Sequence, residues 1–386
     1  MNKIIKFNQP LIFNETKKNL IKVIDSKVFA DGEFQSRCES KIKRLINCKS
    51  VKLTQSCSSA LEVAMILSDI KKDDEVILPS YTFTSTANCI LLRNAKPVFA
   101  DISMNDINLD TNSVERKITK KTKAIIVVHY GGVSCDMDRY LKLKKKYNLI
   151  LIEDAAHAFL GKYKNKYLGT IGDFGAFSFH ESKNIVGGQC GALIINNKNF
   201  IKRADIILDK GTNRRSLGKK NYYSWQDIGS EYRAPELSAA LVYSQLNNVE
   251  KIQSIRKKIW LKYFEKLKKY QGDIFYIPYI INKRNFLNLL TYLKKNLWLK
   301  KKVKKNYFKL KCYNFYRNKT FKRTNLFLKN MKQIDQVKKV NNLKIPNINK
   351  ILKKIDWEKL SNGRPSYIHG DLQFDNIIKT KFNFKL

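Results

Sequence analysis

Short apolar runs that alternate with helical stretches limit the folds open to this chain. Residues 124–128 (AIIVV) and 149–152 (LILI) are continuously apolar, and each run ends in polar residues. Strands of this kind are buried on both faces, and in parallel sheets flanking helices supply that cover. We therefore predict an α/β fold over residues 1–265, with a mostly parallel sheet covered by helices and a long helix over 248–269.

One lysine stands out against this pattern. Lys183 follows a strand-like run and precedes a Gly-Gly turn, while the run at 149–152 leads into Asp154. Parallel strands that place an acid at their carboxyl ends mark the edge where α/β sheets bind ligands. A lysine that forms a Schiff base, with an aspartate beside a pyridinium nitrogen, is the pairing that pyridoxal phosphate (PLP) requires. Taken singly, the lysine also fits a solvated surface residue and the aspartate a turn former.

Two further stretches suit such a ligand. Ser58 and Ser59 open a helix after the strand-like run 51–54, and first-turn amides of a helix bind anions such as phosphate. An ordinary serine-capped helix gives the same pattern. Phe83 begins another helix, where its ring could lie flat on a pyridine ring or belong to the core.

The histidines are few, and each lies in a motif. The chain has 4 of them. They are His129 before a Gly-Gly turn, His157 in Asp-Ala-Ala-His, His180 before the lysine, and His369 near the C-terminus. This placement suggests function, although histidines at strand ends can also be satisfied core residues.

Three stretches together resemble a known family, the nucleotide-sugar aminotransferases of the DegT–DnrJ type. They are residues 79–86 (PSYTFTST), 154–157 (DAAH) and 178–184 (SFHESKN). The resemblance runs from about Phe7 to about Lys266 and is greatest to dTDP-4-amino-4,6-dideoxygalactose transaminases. It implies the large domain of PLP fold type I over residues 1–265.

The resemblance also implies a role for each candidate residue. Lys183 would hold PLP and shuttle protons, Asp154 would keep the ring nitrogen protonated, and His157 would lie near the phenolic oxygen. No metal ion is expected. The predicted cofactor-binding residues are Ser58, Ser59, Phe83, Asp154, His157, Ser178 and Lys183, with the serines at the phosphate and Phe83 stacked on the ring.

The expected reaction follows from the same resemblance. Glutamate would donate an amino group to C4 of a dTDP-linked 4-keto-6-deoxyhexose, for cell-surface polysaccharide or lipopolysaccharide biosynthesis, at the interface of a homodimer. Relatives that carry histidine in place of the lysine are dehydratases, so Lys183 favours transamination. One departure is Glu231 in the segment 231–233 (EYR). Many relatives carry asparagine there and reach the neighbouring subunit's phosphate, which a carboxylate would repel.

Charge, cysteines and hydropathy restrict the partners and the compartment. The formal net charge of +42 invites a nucleic-acid hypothesis. Asparagine and lysine are enriched together without aromatic-basic alternation, which favours a compositional bias and no nucleic-acid partner. No apolar run approaches the roughly eighteen residues of a membrane span. The 7 cysteines are scattered, as expected for reduced thiols. Without a recognisable signal peptide, we predict a cytoplasmic protein.

From about residue 270 the resemblance to aminotransferases fades. We predict a second region over 266–386, basic and mainly helical, that resembles an incomplete phosphotransferase C-lobe. Residues 369–376 (HGDLQFDN) are similar to the catalytic loop of aminoglycoside- and choline-kinase-like enzymes, where the aspartate takes a proton and the asparagine holds Mg²⁺. A glycine-rich nucleotide loop is not recognisable, so Asp371 and Asn376 are interpreted as vestigial.

Three hypotheses for function remain after the sequence alone. The first is a PLP-dependent sugar aminotransferase. The second is an inactive fusion that keeps the motifs but lacks a recognisable small domain. The third is a small-molecule kinase that uses the C-terminal His-Gly-Asp loop.

Overall fold

A computed structural model describes residues 8–103, 106–217 and 223–268, and two short strands near residue 340. The chain divides into two units, Met1–Asn285 and Phe286–Leu386. Within the described residues no helix is both long enough and apolar enough to cross a membrane.

The first unit is built on a seven-stranded sheet. Its strands in chain order are β1 (Ser50–Thr54), β2 (Glu75–Pro79), β3 (Lys96–Ala100), β4 (Thr122–Val128), β5 (Ile150–Asp154), β8 (Phe174–Ser178) and β9 (Gly191–Ile195), with the small hairpin β6 (Lys162–Tyr163) and β7 (Lys166–Tyr167) outside the sheet. The spatial order is β1-β9-β8-β5-β4-β2-β3. Neighbours from β3 to β8 run parallel, whereas β9 is antiparallel to both β8 and β1. The expected mostly parallel sheet is confirmed.

Helices cover both faces of this sheet. They are α1 (Asn14–Ser26), α2 (Glu33–Ile46), α3 (Cys57–Leu67), α4 (Thr84–Leu91), α5 (Thr111–Lys117), α6 (Met137–Tyr147), α7 (Ile201–Leu208), α8 (Glu236–Asn247) and α9 (Val249–Lys268). The long helix predicted over 248–269 corresponds to α9. A second pair of strands, β10 (Lys339–Val340) and β11 (Leu343–Lys344), forms an antiparallel hairpin in the second unit.

Alternating side chains along the strands divide the core into two layers. Ile152, Phe174 and Ala176 pack with α3, α4 and α7 on one face. Leu151 packs with residues of α5 and α6 on the opposite face, and Phe177 with residues of α2 and α8. Because successive residues of a strand point to opposite faces, each side chain near a strand end faces only one of the two core layers.

The strand register aligns the ends that carry the candidate residues. Asp154 lies opposite Ala176, and Ser178 and Thr54 both lie opposite Gly191. Strands β1, β5 and β8 therefore finish at one edge of the sheet, and α3 begins there. Ligands of open α/β sheets bind at this carboxyl edge.

Helix α3 approaches the sheet unusually closely at this edge. The N-cap residue Ser56 accepts a hydrogen bond from the Ser59 N–H, which fixes where the helix begins. A Cβ atom added to Gly191 would lie 2.4 Å from the Cys57 nitrogen. Glycine at position 191 is thus required for the helix N-terminus to sit against β9.

The mixed α/β class with its central parallel sheet is confirmed for the first unit. Of the region 266–386, only the start of that stretch within α9 and the hairpin β10–β11 are described. The predicted helical character of the rest, and the boundary at 265/266, remain predictions.

We expect Gly191→Ala to lower the free energy of unfolding by about 3 kcal/mol, because the new methyl group would force backbone atoms of α3 away from β9. The matched control is Gly188→Ala. Gly188 has a φ of +77° and nothing within 4 Å of an added Cβ. Its only cost is the left-handed backbone, about 1 kcal/mol. Chemical denaturation of both variants measures the difference, and equal losses would contradict a close contact at Gly191.

Candidate active site

Lys183 lies in the loop that leaves β8 and returns through β9. The loop is closed by hydrogen bonds from the Lys183 N–H to the His180 carbonyl (2.9 Å) and from the Glu181 N–H to the Gly188 carbonyl (3.0 Å). The Lys183 side chain is half-buried. Burial lowers the pKa of Lys183, while the nearby Cys57 thiol and Asp154 carboxylate act in the opposite direction. A lowered pKa increases the fraction of neutral, nucleophilic amine.

Asp154 is held at the end of β5 by side chains and backbone from two directions. It is 5% exposed. Its Oδ2 accepts a hydrogen bond from Thr86 Oγ1 of α4 (2.8 Å), and its Oδ1 accepts one from the Ala156 N–H (3.2 Å). Because Ile152 faces α3 and α4, the same alternation turns Asp154 toward those helices. The carboxylate is fixed in the layer where α3 begins.

His157 lies three residues beyond Asp154. Its Nδ1 accepts a hydrogen bond from the Gly131 N–H (3.2 Å), and its ring meets the ring of Tyr130 edge-on at 5.6 Å. In the neutral imidazole the proton is therefore on Nε2, which can donate to an oxygen. Partial desolvation and the neighbouring Lys183 ammonium lower the pKa of His157, and Asp154 opposes them.

Serine hydroxyls cluster around the N-terminus of α3. Ser58 Oγ donates to Ser85 Oγ of α4 (2.6 Å), and Ser59 Oγ lies 3.0 Å from Ser56 Oγ. Ser178 is buried at the end of β8, where its Oγ accepts a weak hydrogen bond from the His180 N–H (3.4 Å). The first-turn N–H groups of a helix, with hydroxyls beside them, can bind an anion.

Aromatic rings lie at the same edge of the sheet. Phe83, the N-cap residue of α4, is 74% exposed, so its ring has a free face and is not part of the core. Tyr81 and Tyr130 pack with ring centroids 4.6 Å apart, and the Tyr130 hydroxyl donates to the Tyr81 hydroxyl (3.1 Å). Exposed aromatic faces of this kind bind planar rings and sugar rings.

The side chains of the other two described histidines bond to residues outside the predicted site. His129 is fully buried and bonded to Glu153, as expected for a satisfied core histidine. His180 is exposed and bonds only within its own turn, to Ser182. His369 lies outside the described residues, as do Asp371 and Asn376.

Glu231, where many relatives would carry asparagine, has a local partner. Its carboxylate forms an ion pair with the Lys210 ammonium, and its backbone carbonyl accepts a hydrogen bond from Gln55 Nε2 (2.7 Å). Gln55 immediately precedes the cap of α3. The Glu231 carboxylate thus has a cationic partner within its own chain.

Thr86 is a residue whose part in the site the sequence did not reveal. It lies within the stretch 79–86, but a threonine inside a predicted helix gives no sign of a partner 68 positions away. Its hydroxyl also lies 2.8 Å from Thr82 Oγ1, so the contact to Asp154 is part of a short chain of hydroxyls. The contact is visible only in the tertiary structure, which brings Thr86 of α4 to the end of β5.

These groups fit PLP. A half-buried amine with a lowered pKa can react with an aldehyde, and a buried carboxylate can face a pyridinium nitrogen. The α3 N-terminus can hold the phosphate, and the unstacked Phe83 ring can cover a planar ring. Among the described residues no group of three or more His, Cys, Asp and Glu side chains could hold a metal ion.

Comparison with known proteins identifies the family of this chain. Residues 10–342 match the model of the DegT/DnrJ/EryC1/StrS aminotransferase family. The chain belongs to this family. The aminotransferase class and the PLP cofactor predicted from the sequence are thereby confirmed. The match continues beyond residue 266, where the resemblance in the sequence fades.

Individual relatives agree with this assignment. The spore coat polysaccharide biosynthesis protein SpsC of Bacillus subtilis is 34% identical over 68% of this chain and 69% of its own length. The GDP-perosamine synthase of Escherichia coli O157:H7 is 33% identical over 67% and 70%. Among solved structures, PseC of Helicobacter pylori, an aminotransferase of pseudoaminic acid biosynthesis, is 29% identical over 70% and 72%, with a TM-score of 0.65. The PLP form of the putative sugar aminotransferase Spr1654 of Streptococcus pneumoniae is 26% identical over 68% and 71%, with a TM-score of 0.63.

Thr86→Val should reduce kcat/KM about tenfold, because Asp154 loses the hydroxyl that orients it, a loss of about 1.4 kcal/mol. The control Thr84→Val removes an exposed hydroxyl from the first turn of the same helix and should leave kcat/KM unchanged. Steady-state kinetics of both variants test the role. Equal kinetics of Thr86→Val and the native protein would contradict it.

The lowered pKa of Lys183 has a measurable consequence in the apo-protein. The rate of recombination with PLP should rise with pH and level off below the ordinary lysine value of 10.5, because only the neutral amine attacks. Asp154→Asn removes a charge that raises this pKa, so its midpoint should move to still lower pH. Stopped-flow absorbance over pH 7 to about 11 measures both. A native midpoint at 10.5 or higher would refute the effect of burial.

Proposed function

We propose that this protein transfers an amino group from glutamate to C4 of a dTDP-linked 4-keto-6-deoxyhexose. The observation that carries the proposal is the meeting of the Lys183 amine, the Asp154 carboxylate and the α3 N-terminus at one edge of the sheet. Those groups match the amine, ring-nitrogen and phosphate requirements of a PLP enzyme.

The residues divide the chemistry between them. PLP supplies an electron-accepting ring once bound. Asp154, oriented by Thr86, would hold a proton at the ring nitrogen. Lys183 would carry the cofactor, and its freed amine would move protons first from the donor carbon and later to the sugar carbon. His157 would donate from Nε2 to the phenolic oxygen.

Binding of the cofactor is assigned to the remaining predicted residues. Ser58, Ser59 and Ser178 would share their hydroxyls with the phosphate beside the amides of α3. The exposed Phe83 would stack on the ring. Gln55, which precedes the cap of α3, is bonded to the Glu231 backbone, and the Glu231 side chain is paired with Lys210.

The sugar and its nucleotide are the finer part of the proposal. The resemblance in the sequence favours a dTDP-linked substrate and glutamate as donor, whereas one relative is named a GDP-perosamine synthase. The product would enter cell-surface polysaccharide, in keeping with the name of the Bacillus relative. A homodimer and a cytoplasmic location are proposed with it.

The alternatives have less support. A fusion without activity would keep the same motifs; the match to the aminotransferase family over residues 10–342, which extends past residue 266, supports the working enzyme. A phosphotransferase would depend on Asp371 and Asn376, which lie outside the described residues and beyond the family match.

Absorbance spectroscopy of the purified protein with added PLP tests the proposal first. A visible band of the bound cofactor should form in the native protein, disappear on addition of glutamate, and be absent in Lys183→Ala. Mass spectrometry should then detect the amino sugar when dTDP-4-keto-6-deoxyglucose is supplied, and the matching GDP-linked sugar serves as the comparison.

Each step separates one hypothesis from the others. No band in a folded protein would refute the working enzyme and favour the inactive fusion. A band that glutamate bleaches, with turnover of the GDP-linked sugar alone, would refute only the dTDP assignment. Phosphorylation of a small molecule by ATP, abolished by Asp371→Asn, would support the kinase.

A further inference from the structure

A second cluster, of buried polar groups around Glu153 and His129, lies on the other face of the sheet, at the same ends of β4 and β5. At its centre Glu153 is fully buried. Its carboxylate accepts hydrogen bonds from the N–H groups of Gly169 (2.8 Å), Ile171 (2.6 Å) and Gly172 (2.6 Å). It also lies 2.9 Å from His129 Nε2. Both oxygens are fully used.

The orientation of His129 is fixed from both sides of its ring. Its Nδ1 accepts a hydrogen bond from the Cys135 N–H (3.2 Å), so the proton resides on Nε2 and is donated to Glu153. Its own N–H donates to the Asp154 carbonyl (3.1 Å). His129 therefore joins the end of β4 to the end of β5 through backbone and side chain together.

This cluster contacts both groups that would face the cofactor ring. Glu153 is the chain neighbour of Asp154, and the two side chains leave β5 on opposite faces. Two residues after His129, the Gly131 N–H holds His157 Nδ1. A shift of the 129–131 turn would release that hydrogen bond and with it the tautomer of His157.

A carboxylate is needed at position 153 for a physical reason. Four donors point at one buried place, and only an ionised carboxylate accepts that many hydrogen bonds. Burying such a charge costs several kcal/mol unless the hydrogen bonds offset it. A cluster built this way rigidly defines the geometry around it, and its members are fully satisfied.

We propose that Glu153 and His129 are positioning residues of the transamination site. They hold the ends of β4 and β5 and the turn 130–132, and thereby place Asp154 against the ring nitrogen and His157 against the phenolic oxygen of PLP. The inference rests on the PLP chemistry proposed above, and it concerns residues that do not themselves touch the cofactor.

Two substitutions at His129 test the proposal in the full-length protein. His129→Phe keeps a ring but removes both ring hydrogen bonds, whereas His129→Gln keeps an N–H donor for Glu153. We expect His129→Phe to weaken PLP binding at least tenfold and to move the pH midpoint of the visible band by about half a unit or more. His129→Gln should restore most of the affinity. Fluorescence titration of the apo-protein gives the dissociation constant, and a spectrophotometric pH titration gives the midpoint.

Asp173→Asn is the matched control for a purely structural role. Asp173 is also a buried carboxylate, but it accepts the Leu151 N–H (2.9 Å) and pairs with Lys144 at the opposite end of β5. The control should lower the melting temperature and leave the dissociation constant and the midpoint unchanged. If His129→Phe does not fold, Glu153→Gln takes its place with the same expected losses.

The outcomes are distinct. PLP binding within twofold of the native protein and an unmoved midpoint, in a folded variant, would overturn the positioning role even if the melting temperature falls. Failure of the native protein to bind PLP would instead refute the proposed function, because the native protein and Lys183→Ala are measured in the same titration.

Discussion

The divergence of two adjacent acidic side chains at the end of β5 organises this protein. Asp154 points toward α3 and α4, where Thr86 fixes it, and Glu153 points into the opposite layer, where four donors surround it. Strand geometry makes this divergence unavoidable, since successive residues face opposite sides of a sheet. The two acids therefore have different partners: Asp154 contacts the layer of α3 and α4, and Glu153 contacts the opposite layer. The sheet register then brings the ends of β1, β8 and β5 to the same edge.

Electrostatics at this edge depends more on local enclosure than on net charge. Although the chain carries a formal charge of +42, the pKa of Lys183 is lowered by burial of its amine. Nearby cations of the 209–215 segment are largely paired: Lys210 with Glu231, and Arg214 with Asp209. Such pairs reduce the repulsion among the cations of this segment.

The residues assigned to the cofactor all fall between positions 58 and 183, well inside the first unit. The family match extends much further, to residue 342. The region beyond 266 therefore includes sequence related to aminotransferases, and residues 369–376 follow the match.

The sequence by itself determined the fold class, the positions of Lys183 and Asp154 near strand ends, and the serine-rich start of α3. These features are local: an apolar run, a strand end and a capped helix start are each visible in a few consecutive residues. Tertiary structure alone decided that Thr86 bonds to Asp154, that Lys210 pairs with Glu231, and that His129 bonds to Glu153. Each of these contacts joins residues more than twenty positions apart, and their geometry is set by strand register and helix packing, which no local pattern encodes.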